Sequence, residues 1–286
     1  MTVEPLTPFV CPLDGAPLAA DEQGAGCEHG HRYDRAREGY LNLLPVQHKA
    51  SRDPGDDKAM VAARRRIADG GHFAPLNEAL FAWLREYAAR GTLRVLDAGC
   101  GEGHTLASLA SRAEQDHRPA QMRLAGYDIS KWAVRAAARR THKVAWAVAS
   151  NRQPPLPPAS VDVLLSLFGF AHWPSFAALL APGGRLLTVD AEAGHLLELR
   201  EVIYPEVAIA AETLPPEALA RGWRVARTHS VRYPLLLESP AALQDLVAMT
   251  PHGHRITASG RAALATLTRL TVSMSMVMRE WLPPGA

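Results

Sequence analysis

The sequence predicts an α/β fold: a Rossmann-like, largely parallel sheet with helices on both faces, preceded by a small cysteine–histidine module. Three observations predict it. Between Leu93 and Val189, short apolar runs alternate with helical patterns, as in a parallel sheet built from strand–helix–strand units. The apolar run Arg94-Val95-Leu96 ends in an acid, Asp97, followed by glycines at alternate positions, Gly99, Gly101 and Gly103. Residues 1–45 are rich in Gly, Pro, Cys and His and too poor in apolar side chains to fold on a core alone.

In chain order, residues 1–45 form the small module and residues 46–90 a linker with helices. Residues 91–286 form the main domain. Met60–Ile67 and Pro75–Arg90 read as helices, the second with apolar positions at Leu76, Leu80, Phe81 and Leu84. Predicted strands are Arg94–Leu96, Leu124–Tyr127, Ala145–Ala147, Val161–Leu167 and Arg185–Val189. Thr105–Ala113 and Lys131–Arg140 read as helices, and the Pro-rich Gln153–Pro158 as a loop. Beyond Ala191, His195–Ile203 and Ala241–Met249 read as helices. Trp223–Thr228 and Val231–Leu236 read as strands, and Leu267–Glu280 as a segment that closes the sheet.

The chain has 286 residues and 48% hydrophobic content, enough for a sizeable core. A net charge of +2 gives no strong basic footprint, so any nucleic-acid contact must use a local patch. No apolar run is long enough to span a membrane. The start, Met1-Thr2-Val3-Glu4-Pro5, lacks the regions of a signal peptide. The three cysteines suggest a cytoplasmic protein with a metal rather than a disulfide framework.

The glycine spacing matters. The dinucleotide fingerprint is G-x-G-x-x-G, whereas this chain has D-x-G-x-G-x-G. A carboxylate there would repel a pyrophosphate and suits a ligand with positive charge, such as an amino group or a sulfonium. A second acid, Asp128, ends the next apolar stretch, where it can bind ribose hydroxyls. The alternative is a glycine-rich turn of some other α/β protein. The pattern resembles the S-adenosylmethionine loop of class I methyltransferases. That resemblance implies a seven-stranded sheet, with Asp97 and Gly99 to Gly103 around the methionine half and Asp128 on the ribose. The turn Ala181-Pro182-Gly183-Gly184 before a strand is a frequent feature of the same class.

Cys11-Pro12-Leu13-Asp14 and Cys27-Glu28-His29-Gly30-His31 form a candidate zinc-ribbon-like site. Two knuckles can point four ligands at one tetrahedral ion. Asp14 stands where a second cysteine is expected, and zinc accepts carboxylate oxygen, so Cys11, Asp14, Cys27 and His31 are the candidate set. His29 can substitute for Asp14. The alternative is a metal-free loop that keeps leftover Cys and His.

The run Glu38-Gly39-Tyr40-Leu41-Asn42-Leu43-Leu44-Pro45-Val46-Gln47-His48-Lys49, continuing into Ser51-Arg52-Asp53-Pro54-Gly55-Asp56, resembles the RlmA family of 23S rRNA guanine-N1-methyltransferases. The resemblance extends through Gly71-His72-Phe73, Asp97–Gly103, Asp128-Ile129-Ser130-Lys131, Ala149-Ser150, His195–Leu199 and Met249-Thr250-Pro251, and so covers most of the chain. It implies S-adenosylmethionine contacts at Phe73, Gly101, Glu102 and His195, with Ile129 and Ser150 also at the cofactor. It implies a module that reads 23S rRNA, and an architecture compatible with a homodimer. A subset of that family protects producers from macrolide antibiotics. The chain departs from the family pattern at Asp14, at Phe168-Gly169-Phe170-Ala171, at Asp190-Ala191-Glu192 and at His252-Gly253-His254.

Guanine N1 bears a proton at neutral pH, which must leave as the methyl arrives. Asp190, Glu192 and His172 are the nearest candidate bases. Phe170 and Trp173 are candidates for stacking on the base. Lys49, Arg52, Arg64, Arg65, Arg66, Arg35 and Arg37 are candidate phosphate contacts, with a solvated charged face as the alternative. Two other readings stay open: a small-molecule methyltransferase on the same scaffold, and a non-catalytic RNA-binding relative.

Overall fold

A computed structural model describes residues 1–48, 51, 53–88, 91–209 and 213–285. Lys49, Arg52 and the end of the helix predicted to Arg90 lie outside the described residues. The elements begin with β1 (Thr2–Pro5), β2 (Ala19–Ala20), β3 (Gly24–Gly26), β4 (Arg32–Asp34) and β5 (Leu41–Asn42). Then follow α1 (Lys58–Asp69), α2 (Ala74–Ala88), β6 (Thr92–Ala98), α3 (His104–Gln115), β7 (Gln121–Asp128), α4 (Lys131–Ala138), β8 (Val144–Val148) and β9 (Val161–Leu167). The rest are α5 (Trp173–Leu179), β10 (Leu180–Ala191), α6 (Leu197–Ile203), α7 (Pro216–Ala220), β11 (Arg224–Leu237), α8 (Pro240–Ala248), α9 (His252–Arg255), α10 (Ala258–Ala265) and β12 (Leu270–Leu282).

The main sheet runs β11-β12-β10-β9-β6-β7-β8-β5, with β1 also paired to β7. Strands β6 to β10 are parallel, and β12 enters antiparallel between β10 and β11. These seven strands form the predicted methyltransferase sheet. Two further strands come from the N-terminal segment. β1 lies along the first half of β7 (Thr2↔Gln121 to Pro5↔Leu124), and β5 pairs with β8. The central strands are apolar on both faces because helices cover both: Val95, Leu96, Leu124, Leu164 and Leu165 are fully buried. Trp223–Thr228 and Val231–Leu236 form one continuous strand, β11, paired along its length to β12.

β6 sits between β7 and β9, so the winding reverses there. In open α/β sheets, ligands bind beyond the carboxyl ends of the strands at such a switch point. Asp97 and the three glycines occupy that position. The module around β2, β3 and β4 forms a separate three-stranded sheet. No helix among the described residues is long and apolar enough to cross a membrane.

Candidate active site and metal centre

Asp97 lies near the end of β6 with 1% of its surface exposed, and its Oδ1 has no hydrogen-bond partner. Burial first, and then the charge of Asp128, push its carboxyl up to about 8. A buried oxygen without a partner is costly, and a cationic ligand group would supply one. Gly99 has φ 84°, and a Cβ built on it would enter open space, so the turn leaves a cradle beside Asp97. Gly101 (φ 55°) donates its N–H to Asp128 Oδ2 at 3.0 Å, and Ser130 N–H donates to Oδ1 at 2.8 Å. Asp128 is thereby held at the tip of β7. Its carboxyl is raised by burial, against those two hydrogen bonds. At Gly103 (φ 79°) a Cβ would lie 2.6 Å from that of Ala137 and 2.8 Å from the Trp146 ring. Only glycine lets α3 start so close to α4 and β8.

The other sequence-predicted cofactor residues have differing partners. Glu102 is 3% exposed and pairs with Arg140, which also reaches Asp69 at 2.7 Å. Ile129 lines a small cleft with Leu44, Pro54, Trp132 and Val148. Ser150 bridges to Gln153 just past β8. Phe73 is half-buried against the main core, and the preceding His72 carbonyl accepts from Tyr233 Oη at 2.6 Å. His195 Nδ1 accepts from the Ser275 N–H at 3.2 Å, which leaves Nε2 to carry the proton. Burial lowers its pKa to about 4, so the ring is neutral.

The linker supplies what sequence reasoning missed. Ser130 Oγ donates to the Asp56 carbonyl at 2.6 Å, and Gly55 packs against Ile129. Arg64 bonds Asp56 at 2.6 Å and the Met249 carbonyl at 3.0 Å, and lies beside Gly101. Arg64 thus lies against the glycine loop while staying partly exposed. Arg65 pairs with Asp69 and Arg66 with Asp245, while Arg35 donates to the Gly24 carbonyl. Arg37 is exposed.

The three candidate bases differ. His172 Nδ1 meets Ser175 Oγ at 2.7 Å ahead of α5. Glu192 accepts from Ser230, Arg232 and Ser275, and Arg232 chiefly holds its carboxyl down at about 2. Asp190 accepts from Arg279 at 3.0 Å and Thr188 at 3.3 Å, yet burial raises its pKa. Trp173, expected as a stacking candidate, is 4% exposed and packs edge-on against Trp223 and Trp281. Its bulk fills the core under α5 and cannot reach a base.

The metal-ligand candidates converge. Single donor atoms of Cys11, Asp14, Cys27 and His31 lie within 4.8 Å of one another. His31 Nδ1 is 3.5 Å from Cys11 Sγ and 3.4 Å from Cys27 Sγ, and Cys27 Sγ is 3.4 Å from Asp14 Oδ2. Tetrahedral zinc at its usual bond lengths places such donors roughly 3.3–3.8 Å apart; the distances to sulfur fit zinc, and His31 Nδ1 and Asp14 Oδ2, 2.9 Å apart, would separate by a few tenths of an ångström to share the ion. His29 Nδ1 approaches the same Asp14 oxygen at 3.0 Å and Tyr33 Oη touches Cys11 Sγ at 3.1 Å, which gives the ligands outer partners.

Comparisons with known proteins agree with this geometry. Residues 9–52 match the family described as RlmA, N-terminal, and residues 95–190 match a methyltransferase domain. A 23S rRNA (guanine(748)-N(1))-methyltransferase of Streptomyces fradiae is 38% identical over 195 residues, covering 68% of this chain and 66% of that protein. A provisionally named 23S rRNA guanine-N1-methyltransferase of Micromonospora griseorubida is 33% identical, covering 96% of both chains. The similarly named YxjB of Bacillus subtilis is 31% identical over 85% of this chain and 86% of that one. Sheet order, glycine loop and domain match define an S-adenosylmethionine-dependent methyltransferase. With a relative alike along almost its whole length, the chain belongs to the RlmA family of 23S rRNA guanine-N1-methyltransferases.

Proposed function

We propose that the chain transfers a methyl group from S-adenosylmethionine to N1 of a guanine in a 23S rRNA hairpin, in the cytoplasm. The observation that carries the reading is one continuous chain in which a Cys-Asp-Cys-His cluster is joined by paired strands to a methyltransferase sheet. When bound, the cofactor supplies a methyl group on a sulfonium. Asp97 and the Gly99–Gly103 turn would hold its methionine half and Asp128 its ribose. His195 would offer Nε2–H to its carboxylate. The zinc cluster would shape the module that grips the RNA. Phe73, Ile129, Ser150 and Glu102 would complete the cofactor walls, Glu102 through its hold on Arg140.

Asp190 is the best placed of the three candidate bases. Glu192 is saturated by donors, and His172 is tied to Ser175. Asp190 is the penultimate residue of β10 with its side chain about half exposed, and its raised pKa suits it to receive the proton that guanine N1 loses. Asp190→Asn is expected to lower kcat about 100-fold or more, with cofactor affinity unchanged by calorimetry. Equal kcat would remove Asp190 from the reaction.

The test of the function is methyl transfer from labelled S-adenosylmethionine to 23S rRNA from cells lacking this gene, with mapping of the product. A single N1-methylguanine is expected. No incorporation, with the cofactor still bound, would move the search to small-molecule acceptors. A steep salt dependence of RNA binding accompanies the reading, and gel filtration of the same sample tests the homodimer.

A further inference from the structure

The segment from Glu192 to Glu198, which carries His195, is joined to β12 by a ladder that changes character along its length. Backbone pairing between β10 and β12 ends at Ala191↔Met276. Beyond it the segment still donates from its backbone: Glu192 N–H to the Ser275 carbonyl at 3.0 Å and Leu196 N–H to the Ser273 carbonyl at 2.8 Å. The return bonds come from β12, and side chains receive them. His195 Nδ1 accepts the Ser275 N–H at 3.2 Å, and Glu198 Oε2 accepts the Ser273 N–H at 2.7 Å. Glu198 Oε1 also accepts from Ser273 Oγ at 2.6 Å, and Glu192 Oε2 from Ser275 Oγ at 2.6 Å. An imidazole and a carboxylate thus stand in for the carbonyls that a regular strand would offer. Leu196, between them, adopts φ 52°, a conformation that a non-glycine residue keeps only where its surroundings enforce it. The His195 ring also lies 6.2 Å from the Phe168 ring, tilted by 33°. Burial opposes the charge of Glu198, yet the Ser273 hydrogen bonds hold its carboxyl below the ordinary value, so it accepts as an anion.

We propose that Glu198 is a positioning residue for cofactor binding: by gripping Ser273 it keeps β12 aligned with the 192–198 segment, so that the Ser275 N–H holds His195 Nδ1 and Nε2–H is left to donate to the cofactor's carboxylate. The proposal rests on the reading of His195 given above. A free imidazole exchanges its proton between two nitrogens, and only one of the two forms offers Nε2–H. A backbone N–H can only donate, so a neutral ring that accepts from it carries its proton on the far nitrogen. That choice lasts only while strand and segment stay aligned. Both Glu198 oxygens are taken by Ser273, so Glu198 acts through the ring rather than on the cofactor. The donor is set before the cofactor arrives, and less ordering is left to oppose binding.

The test uses the full chain, ligand-free for magnetic resonance and titrated with S-adenosylmethionine by calorimetry. With histidine labelled by nitrogen-15, and the His195 signals identified by their loss in His195→Ala, wild type is expected to show Nε2 protonated and Nδ1 bare. Glu198→Ala is expected to bring the two nitrogen shifts together through tautomer exchange. It is also expected to weaken S-adenosylmethionine about tenfold, in line with the loss of a hydrogen bond to a charged group. Glu198→Gln, whose amide oxygen can still accept from Ser273, should stay within about threefold of wild type. In a His195→Ala background, Glu198→Ala should change Kd by less than about twofold, because the ring it serves is gone. If Glu198→Ala does not fold, Glu198→Asp, one methylene short of Ser273, carries the same expectation. Three results overturn the positioning role: a His195 tautomer untouched by Glu198→Ala, an unchanged Kd, or an equal loss with and without the His195 ring. If His195→Ala itself binds the cofactor like wild type, the reading of His195 falls and the positioning role with it. If only Glu198→Ala does so, His195 keeps its role and Glu198 loses its own.

Discussion

At the residue scale, Asp97 couples folding to its own protonation. Its carboxyl moves from an ordinary 3.8 up to about 8 on folding, chiefly through burial. The folded chain therefore holds this proton more tightly than the unfolded one. Its contribution to stability is full below pH 3.8, falls as pH rises through the window to about 8, and is lost above it. Asp97→Asn is expected to raise the melting temperature of the ligand-free protein at pH 8 and leave it unchanged near pH 4. A cationic ligand favours the charged carboxylate, so cofactor binding at pH 7 should release a proton in the wild type and none in the variant. Calorimetry in buffers of different ionisation enthalpy reads this, and equal proton counts would contradict it. Gly103 is the steric counterpart. Gly103→Ala would combine a positive φ with a 2.6 Å contact to Ala137, at a cost of about 2 kcal/mol or more. Thermal melting should fall by roughly 4–8 °C, together with cofactor affinity.

At the scale of the element, α1 shows how much rests on one cap. Asp57 accepts from the N–H groups of Ala59 and Met60, both at 2.8 Å, and α1 carries Arg64 to the glycine loop. Asp57→Ala should cost about 1 kcal/mol and lower the melting temperature by about 2–4 °C. An unchanged melt would show the cap to be dispensable. Elements with strong local signals were legible in the sequence: Val161–Leu167 forms a strand over those same residues, and the glycine turn connects a strand to a helix where its pattern demands. Elements whose partners are distant were not legible. Thr2–Pro5 and Leu41–Asn42 carry no alternation, and become strands because the flank of β7 and β8 offers them hydrogen bonds. The sequence reads two strands with residues 229–230 between them, yet the Ser230 side chain bonds Glu192 and the backbone runs on against β12. The candidate metal ligands could be read from spacing alone. The pairing of Phe168 with His195 joins residues far apart in sequence, and no local pattern announces it.

For the molecule as a whole, metal and cofactor regions should respond separately to metal removal. Cys11 and Leu18 share a buried cluster with Leu41, Leu96 and Trp281, so the module rests on the main domain through apolar contact as well as paired strands. Chelation is expected to release zinc, weaken RNA binding at least tenfold and leave cofactor affinity within about twofold. Metal analysis, RNA titration and calorimetry on one sample check all three. Loss of cofactor binding on chelation would show that the module also holds the cleft together.

The strands on either side of the metal cluster, β1 and β5, both end in the central sheet. Both ends of the module are thereby tied to the sheet that carries the glycine loop. On the function proposed above, a substrate would be gauged by the span between the part that is gripped and the part that is modified, so that a hairpin of the wrong reach would be refused before its bases are inspected.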